Sequence, residues 1–279
     1  MLRTMTTATN TLNQLQQQLD IIGNNLSNSA TNGYKSSDAK FHELLYQQFN
    51  NDKADTAPRQ SPLGIRYGSG AVLGQAQMNW KIGTLQTTDR QLDFALTEPK
   101  QYFNILMPGD GGEQQTVYTR QGNFYISPVA NGQAMLVNAD GYPVANSAGL
   151  PITFTDDVTN FTTDESGSLT LTHTDGRVET VELGISVMQR PNLMERLSAT
   201  NFALPANLAD LGVTQQQVLT DLRGAARNQV GIESGILEGS NVNYEKEMTD
   251  LITVQRSYQF NARTVTLADQ MLGLINGIR

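Results

Sequence analysis

The chain has 279 residues, no cysteine and a formal net charge of −8 at pH 7. This length is enough to bury the core of one large domain or two modest ones, and the lack of cysteine excludes disulfides, thiolate metal sites and cysteine nucleophiles. Acidic residues outnumber basic residues in the N-terminal, middle and C-terminal parts alike, which argues against a nucleic-acid-binding surface.

We expect no cleaved targeting signal at the start of the sequence. The first twenty residues, MLRTMTTATNTLNQLQQQLD, contain no apolar run of about 7–15 residues, so we predict no cleavable secretory signal peptide. No later segment approaches the ~20 apolar residues of a membrane-spanning helix. We therefore expect a dedicated exporter to carry the protein if it leaves the cytosol.

The prolines divide the chain into parts. All nine lie between Pro58 and Pro205, and because proline breaks helices, only the two ends are free to form long ones. We predict an α+β fold with long N- and C-terminal helices paired as a coiled coil and a central antiparallel β domain. The predicted parts are an N-terminal helix and extended segment (1–57), the β-rich domain (58–205), a connection (206–240) and the C-terminal helix (241–279).

Apolar residues recur with heptad spacing at both ends, which is typical of a coiled-coil seam. The N-terminal series are Ala8, Leu15 and Ile22, and Met5, Leu12, Leu19 and Leu26. The C-terminal series is Leu251, Val254, Tyr258, Asn261, Val265, Ala268, Leu272 and Ile275. Two matching stripes most simply bury each other. The alternative is two amphipathic helices that lie separately on a globular core.

The C-terminal helix has clear start signals. Its N-cap candidates are Ser240, Asn241 and Asn243. Glu245 and Glu247 would place negative charge in the first turn, where it is favourable. We predict a helix over about residues 243–276, roughly 50 Å long.

The middle of the chain has a different pattern. Short stretches rich in β-branched and aromatic residues, such as QYFNILM and TVYTRQGNFYIS, alternate with turn sequences such as PGDGG and NADGYP. This pattern predicts antiparallel strands joined by tight turns.

The sequence offers little for catalysis or metal binding. His42 and His173 have no evident partners, and we expect His173, in LTLTHTDGRV, to be a solvent-facing strand residue. The pairs Asp156–Asp157 and Asp164–Glu165 lie in turn-like segments and are expected to be solvated. We therefore predict no enzymatic activity, no catalytic or metal-binding residues and no cofactor.

Both ends of the chain resemble a known family. The N-terminal stretch IGNNLSNSATNGYK is similar to the N-terminal signature of the bacterial flagellar axial proteins, which include the rod and the hook. The C-terminal stretch GILEGSNVNYEKEMTDLITVQRSYQFNARTVTLADQML resembles the C-terminal motif of that family. The matching positions there are Glu238, Ser240, Asn241, Val242, Glu247, Met248, Gln255, Arg256, Tyr258, Asn261 and Asp269.

The resemblance extends through the middle, with one departure. YGSGAVLGQAQMNWKIGTLQTTDRQLDFAL, YTRQGNFYIS and NADGYPV follow the family's pattern. The family usually has Gly-x-Gly-Phe-Phe after the Leu92–Asp93 pair, whereas this chain has TEPKQYFNI, which keeps Tyr102–Phe103 and loses both glycines. The strand geometry over 97–103 is therefore left open.

The resemblance implies a structural subunit of the flagellar basal-body rod, which polymerises helically through its terminal helices. Its implied partners are copies of itself, other rod and hook subunits, and the flagellar type III export apparatus, without nucleic acid or a small-molecule substrate. It would act outside the cytoplasm, exported without a cleaved signal. The alternatives are a hook subunit and a non-flagellar coiled-coil surface adhesin, and the adhesin should carry a secretory signal.

We expect an assembly interface made of the two seams and the amides next to them. In a polymer, uncharged amides can fix the register of stacked helices without like-charge repulsion, and Asn261 is expected to do so from within the seam. For Thr31–Asn32–Gly33 a helix-terminating turn is the better interpretation. The predicted interface residues are Met5, Leu12, Leu15, Leu19, Ile22, Asn24, Asn25, Leu26, Asn28, Ser240, Asn241, Leu251, Val254, Gln255, Arg256, Tyr258, Asn261, Val265, Leu272 and Ile275.

Overall fold

The computed structural model describes residues 2–43, 46–49, 65–68, 71–109, 114–164, 166–205, 207–208 and 210–277. The chain divides into two compact units. The helical unit comprises Met1–Ser27, Ser37–Gln77 and Asn243–Arg279, and the β unit comprises Asn28–Ser36 and Met78–Val242. The helical unit therefore joins segments from opposite ends of the sequence.

The described residues form three α-helices, which are α1 (Leu2–Ser27), α2 (Gln215–Val218) and α3 (Tyr244–Gly277). Short strands follow α1 along the chain. They are β1 (Ser37–Asp38), β2 (Phe41–Glu43), β3 (Tyr46–Phe49), β4 (Ile65–Gly68), β5 (Ala71–Leu73) and β6 (Gln77–Met78). β2 pairs with β5 and β3 with β4, both antiparallel.

The start of α3 shows which cap candidate is used. The Asn243 side-chain oxygen accepts a hydrogen bond from the Lys246 N–H at 3.0 Å, and its backbone carbonyl accepts the first helical bond from Glu247 N–H at 3.0 Å. This is the geometry of an N-cap, which satisfies N–H groups that have no partner within the helix. The prediction of a C-terminal helix is thus confirmed, and it begins after Asn243 rather than after Ser240 or Asn241.

The two long helices pack against each other. Leu15 and Ile22 of α1 are buried in one cluster with Val254 of α3. The partly buried residues around this cluster are Leu19, Leu251 and Tyr258. Asn25, near the end of α1, hydrogen-bonds Glu247 in the first turns of α3, so the helices run antiparallel. Most of the stability of such helices comes from this shared apolar face.

The β unit is built from antiparallel strands. They are β7 (Leu85–Thr87), β8 (Phe94–Leu96), β9 (Gln101–Pro108), β10 (Gln114–Thr119), β11 (Tyr125–Val129), β12 (Gln133–Val137), β13 (Thr153–Thr155), β14 (Val158–Thr163), β15 (Ser168–His173), β16 (Val178–Glu182), β17 (Ile185–Met188), β18 (Glu195–Arg196), β19 (Asn201–Ala203), β20 (Leu219–Asp221), β21 (Ile232–Ser234) and β22 (Ile236–Glu238). The predicted central antiparallel β domain is confirmed.

The largest sheet has six strands in the order β18-β19-β10-β9-β17-β20. Two three-stranded sheets, β11-β12-β13 and β14-β15-β16, and two pairs, β21-β8 and β22-β7, complete the β unit. The segment 206–240, which we expected to be only a connection, supplies β20, β21 and β22. Each of these strands has three residues, which is too short for an alternating pattern to show in the sequence.

The central strand β9 is buried on both faces. Its residues from Gln101 to Leu106 are all buried, and alternate side chains enter two separate clusters. Phe103 lies in the larger cluster, edge-on to Phe124 with ring centroids 5.1 Å apart, whereas Tyr102 lies in the smaller one against Phe202 and the single tryptophan, Trp80. A continuous apolar run rather than an alternating one is typical of such a strand.

The stretch 97–103, which lacks the family's glycines, forms a turn and then the start of β9. Lys100 lies in this turn with a φ of 63°. A side chain other than glycine in the left-handed region costs about 1 kcal/mol. The chain thus keeps a backbone conformation that favours glycine without having one.

His173 corrects a prediction. The ring is buried rather than facing solvent, and its Nδ1 lies 2.7 Å from a carboxylate oxygen of Asp157. Hydrogen bonds from Thr155 and from His173 lower the pKa of Asp157 to about 2. His173 is two residues after the buried Leu171 on β15, so strand alternation points it inward. The pair joins the turn before β14 to the end of β15.

Gly122 provides a test of this packing. A Cβ atom added there would lie 1.9 Å from the Phe94 carbonyl oxygen, so Gly122→Ala requires backbone displacement and is expected to lower the free energy of unfolding by about 3 kcal/mol. Gly23, inside α1, has no atom within 4 Å of such a Cβ, and Gly23→Ala should raise helix stability by about 1 kcal/mol. Urea unfolding followed by circular dichroism checks both changes. Equal effects of the two substitutions would contradict the packing described.

Candidate assembly interface

The predicted seams of α1 and α3 pack against each other within the subunit along most of the two helices. Leu15, Ile22 and Val254 are buried, with Leu19, Leu251 and Tyr258 around them. The seam residues that are half-buried outside this cluster are Met5, Leu12, Leu26, Asn261, Val265 and Leu272. Ala8 and Ala268 are buried as well. The seams therefore face each other inside one chain.

The far end of α3 has no such cover. α3 has 34 residues and α1 has 26, and because they run antiparallel from Asn25 and Glu247, the last turns of α3 extend past the start of α1. Ile275, predicted as a seam residue, is 55 % exposed. The heptad pattern continues there, but among the described residues no helix of the same chain lies opposite it.

Asn261 does not act across the seam within the subunit. Its side-chain Nδ2 donates a hydrogen bond to the Ser257 carbonyl, one turn earlier on α3, at 2.9 Å. Gln255 and Arg256, also predicted at the interface, are exposed on α3. Within the subunit, this hydrogen bond of Asn261 therefore stays inside its own helix, and its pairing with another helix stays a prediction.

Asn25 binds backbone within the subunit. Its side-chain oxygen accepts from the Ser37 N–H at 3.0 Å, and its amide donates to the Ser37 carbonyl at 2.8 Å. Asn25 is buried and also hydrogen-bonds Glu247. Burial raises the pKa of Glu247, although the Asn25 hydrogen bond and the charge of Lys246 oppose it. This amide fixes the chain leaving α1 against the first turns of α3.

The other amides near the end of α1 have different surroundings. Asn24 is exposed. Asn28 accepts hydrogen bonds from Thr31, through its carbonyl at 3.1 Å and its side chain at 3.3 Å. Gly33 follows with a φ of 72°. The turn interpretation of residues 31–33 agrees with this geometry.

Asn241 holds two chain segments of the β unit together. Its side-chain oxygen accepts from the Ser36 N–H at 2.7 Å, and its amide donates to the carbonyls of Asn79 at 2.8 Å and Lys81 at 2.9 Å. Ser240 has a local role, because its hydroxyl accepts from the Val242 N–H at 3.3 Å. The segments that lead to α1 and α3 are therefore bonded side by side within the β unit.

A buried cluster of three charges lies next to this contact, and we call it the ionic junction. Its members are Lys35, Arg120 and Glu238, each at most 2 % exposed. The Glu238 carboxylate accepts from Lys35 Nζ at 2.5 Å, from Arg120 Nε and from the Gly83 N–H at 2.8 Å. Lys35 also donates to the Lys81 carbonyl at 2.7 Å.

Arg120 makes three further hydrogen bonds to backbone carbonyls. Its Nη1 donates to the carbonyls of Glu98 at 2.8 Å and Gln101 at 2.9 Å, and its Nη2 donates to that of Leu96. Buried charges are tolerated when they are paired and hydrogen-bonded in this way. The junction thus ties the segment after α1, the strand β10 region and the end of β22 to one carboxylate.

The electrostatics of the junction follow from burial and pairing. Burial, reinforced by the charge of Arg120, lowers the pKa of Lys35 to about 8, although Glu238 opposes this shift. Burial would raise the pKa of Glu238, but the charges of Arg120 and Lys35 and the Gly83 N–H outweigh it and hold that pKa below its ordinary value. Glu238 is therefore ionised at neutral pH.

Sequence reasoning missed the junction as a site. Its three residues lie in stretches that carry the family resemblance: Lys35 ends the N-terminal signature, Arg120 is in YTRQGNFYIS and Glu238 opens the C-terminal motif. The available signal for an ionic cluster was the presence of one acidic and two basic residues in three separate motif segments. Their meeting depends on long-range folding that periodicity does not reveal.

Within the described part of the chain, no group of three or more His, Asp or Glu residues is arranged to hold a metal ion. The helices of that part also include none with the length and apolarity needed to cross a membrane. A chain whose two ends pair as long helices around an apolar seam, and whose middle is a β unit, has the architecture of a structural assembly protein.

Comparisons with known proteins identify the family. Three family models match, described as "Flagella basal body rod protein" over 5–35, "Flagellar hook protein FlgE/F/G D1 domain" over 98–171 and "Flagellar basal body rod FlgEFG protein C-terminal" over 233–278. Their order and positions agree with the two ends and the middle that carried the resemblance.

Whole-length relatives agree with these matches. The flagellar hook-basal body complex protein FlhP of Bacillus subtilis (strain 168) is 41 % identical over 287 residues, covering 100 % of both chains. The flagellar basal-body rod protein FlgG of Borreliella burgdorferi is 30 % identical over 291 residues, covering 100 % of this chain and 99 % of the relative. FlgG of Bacillus subtilis is 28 % identical, covering 98 % and 97 %. The chain belongs to the flagellar basal-body rod protein family and is a structural subunit of the rod.

Removing the junction's negative charge is expected to destabilise the β unit. Glu238→Gln leaves Lys35 and Arg120 buried without their counter-charge, which should lower the free energy of unfolding by about 3–5 kcal/mol. Urea unfolding followed by fluorescence of Trp80, the only tryptophan, measures it. The matched control is Asp175→Asn, which removes an exposed pair with Arg177 and should change little. A similar small change for both variants would refute the junction's role.

The lowered pKa of Lys35 predicts that its contribution to the free energy of unfolding rises at alkaline pH. The unfolded chain keeps the Lys35 proton up to about pH 10.5, whereas the folded chain releases it near pH 8. The unfolded state therefore binds more protons in that window, and the Lys35 contribution to the free energy of unfolding rises with pH, by at most about 3 kcal/mol. The free energy of unfolding of the native chain, minus that of Lys35→Met, should therefore increase from pH 8 to pH 10. Lys40→Met, at an exposed lysine, should track the native chain, and a constant gap for Lys35→Met would contradict the prediction.

Proposed function

We propose that this rod subunit polymerises into a helical shaft through its terminal helices, and so forms part of the drive shaft between motor and hook. The observation that carries the proposal is the exposed apolar end of α3, where Leu274 is 69 % and Ile275 is 55 % exposed. Apolar side chains left in water at the end of a heptad pattern favour burial against another chain. Each subunit thereby offers an apolar surface that a neighbour can cover.

The contact would be of the open, head-to-tail kind. A subunit that uses one surface to bind a different surface of its neighbour forms a filament when the rotation does not close. The paired ends of the chain supply both surfaces from one unit. This is the arrangement that a long shaft made of one kind of subunit requires.

Within each subunit, α1 and α3 form a coiled coil in this proposal. Its support is the spacing of the buried residues, because Ala8, Leu15 and Ile22 are seven apart and Val254 and Ala268 are fourteen apart. Such multiples of seven keep knobs and holes in register along two helices. The seam then acts as the stiff support for the polymerising surface.

The exposed predicted residues would contact neighbouring subunits. Asn24 on α1 and Gln255 and Arg256 on α3 lie on exposed positions of the helical unit. Their uncharged or basic groups can hydrogen-bond in a contact between copies. The role of Asn261 in fixing the polymer's register stays a prediction, since its amide is bonded within α3 in the subunit.

The partners in this proposal are other copies of the chain and other rod and hook subunits. Export through the flagellar type III apparatus, without a cleaved signal peptide, would bring the subunit to its place outside the cytoplasm. Support comes from family membership and from whole-length relatives named as basal-body rod or hook-basal body complex proteins. The same names favour the rod over the hook.

Deletion of this chain from its source bacterium tests the proposal. Basal bodies isolated from the deletion strain should have an incomplete rod by electron microscopy, and the cells should not swim, because distal parts lack their shaft. Expression of the native chain should restore both. As a control for secretion, the culture and cell fractions are probed for the chain in the complemented strain.

The decisive negative result is a complete rod in the deletion strain. Intact rods with normal swimming would show that the chain is not a required rod subunit. A missing rod that the native chain does not restore would point to damage elsewhere in the strain and is resolved by a chromosomal reinsertion.

A further inference from the structure

α3 carries a carboxyl group at a position where the seam favours an apolar side chain. Glu247 lies seven residues before Val254, so it continues the heptad series of the seam by one repeat toward the start of the helix. Among the described residues of α3, the buried ones are Glu247, Val254 and Ala268, and their spacings are multiples of seven. Glu247 is therefore a seam residue, and it is the one of these three that can carry a charge.

The partner of Glu247 across the seam is uncharged. Asn25 of α1 hydrogen-bonds Glu247 and is itself 1 % exposed. Ser37 holds this amide in place, because its carbonyl accepts from Asn25 Nδ2 at 2.8 Å and its N–H donates to Asn25 Oδ1 at 3.0 Å. An amide brings no opposite charge, so it stabilises a buried carboxylate less than a lysine or an arginine would.

The charged groups around Glu247 do not compensate its charge. They are Lys246 and Asp250, on α3, and Asp38, in β1 after α1. Lys246 is shared between the other two carboxylates, since its Nζ lies 3.6 Å from that of Asp38 and 3.9 Å from that of Asp250. The Lys246 side chain is also 55 % exposed, so water weakens its effect. An ionised Glu247 thus adds a third negative charge beside one shared positive charge.

Burial and the neighbouring charges both favour the neutral acid. Burial raises the pKa of Glu247, and the charges of Asp250 and Asp38 raise it further, against the opposing effects of Asn25 and Lys246. A protonated carboxyl group removes the repulsion between like charges and adds an O–H donor. The neutral acid is therefore the form that suits this buried position in the seam.

We propose that the contact between Asn25 and Glu247 is a pH-sensitive switch, in which a proton taken up by Glu247 strengthens the pairing of α1 with α3. Loss of that proton leaves a buried charge at the end of the seam and weakens the pairing. The switch lies where the chain leaves α1 and enters α3, so it acts on both connections to the β unit. It goes beyond the proposed function, since it concerns the pairing of the two helices within one subunit.

The pH dependence of this switch has a definite sign. The folded chain holds the Glu247 proton at pH values where the unfolded chain, with an ordinary pKa of 4.5, has released it. The stabilisation is complete below about pH 4.5 and is lost as the pH rises through the higher pKa of the folded chain. A difference of one between the two pKa values corresponds to about a tenfold change in the equilibrium between paired and opened helices. Acidic surroundings thus favour paired ends.

Hydrogen exchange of the purified full chain, followed by mass spectrometry, tests the switch. The measured quantity is the protection factor of peptides from α1 and α3, which is the exchange rate of an unstructured peptide divided by the observed rate. This ratio removes the direct effect of pH on the exchange chemistry. The native chain is compared with Glu247→Gln, whose neutral amide cannot ionise, from about pH 4.5 to about pH 8. The matched control is Glu245→Gln, at an exposed carboxyl in the same first turn.

The expected result is a several-fold fall in the protection of α1 and α3 in the native chain as the pH rises. In Glu247→Gln the protection should stay constant and should exceed that of the native chain at the alkaline end, whereas Glu245→Gln should follow the native chain. The same pH dependence in the native chain and in Glu247→Gln would overturn the proposal. Unprotected helices in the native chain at every pH would also overturn it, because the switch would then have no helix pair to hold.

A second variant keeps the test decisive if Glu247→Gln fails to form its helices. Asp250→Asn leaves Glu247 in place, removes one of the negative charges beside it and leaves Lys246 paired with Asp38 alone. Both effects make an ionised Glu247 less unfavourable, so the fall in protection with rising pH should become smaller than in the native chain. An unchanged fall in Asp250→Asn would contradict the switch.

Discussion

The buried carboxylate of Glu238 is the constraint on which the rest of the structure depends. It receives Lys35 from the segment that follows α1, Arg120 from beside β10 and the Gly83 N–H from a loop of the β unit. A charge taken out of water requires such partners. Chain segments near both ends of the sequence must therefore meet at one point before the β unit is complete.

The two long helices are held together by a different kind of contact from the one in the junction. Their contact is mainly apolar and repetitive, whereas the junction consists of directional bonds between three charged side chains. Position in the β unit is set by directional bonds, of which Asn241 makes three. The helical unit is held together instead by buried apolar surface, with Leu15, Ile22 and Val254 at its centre.

Sequence periodicity was sufficient for the helices and insufficient for the junction. Heptad spacing located both long helices, and Asn243 fixed the start of α3, because capping and periodicity are local properties. The strands β20, β21 and β22 were not predicted, because a three-residue strand is too short to show an alternating pattern of apolar and polar residues. His173 was misjudged although its spacing from Leu171 indicated an inward position. Lys35 and Glu238 could not be paired from sequence, since nothing local links positions that meet only after folding.

The separation of Lys35 and Glu238 has a consequence for the order of events. They are 203 residues apart in the chain, and contacts of such long range form slowly because a large loop must first close. Until that happens, the segments leading to α1 and α3 are not fastened to each other. A partly synthesised chain thus cannot bring both ends together, which gives the molecule a built-in delay between synthesis and completion of the folded subunit.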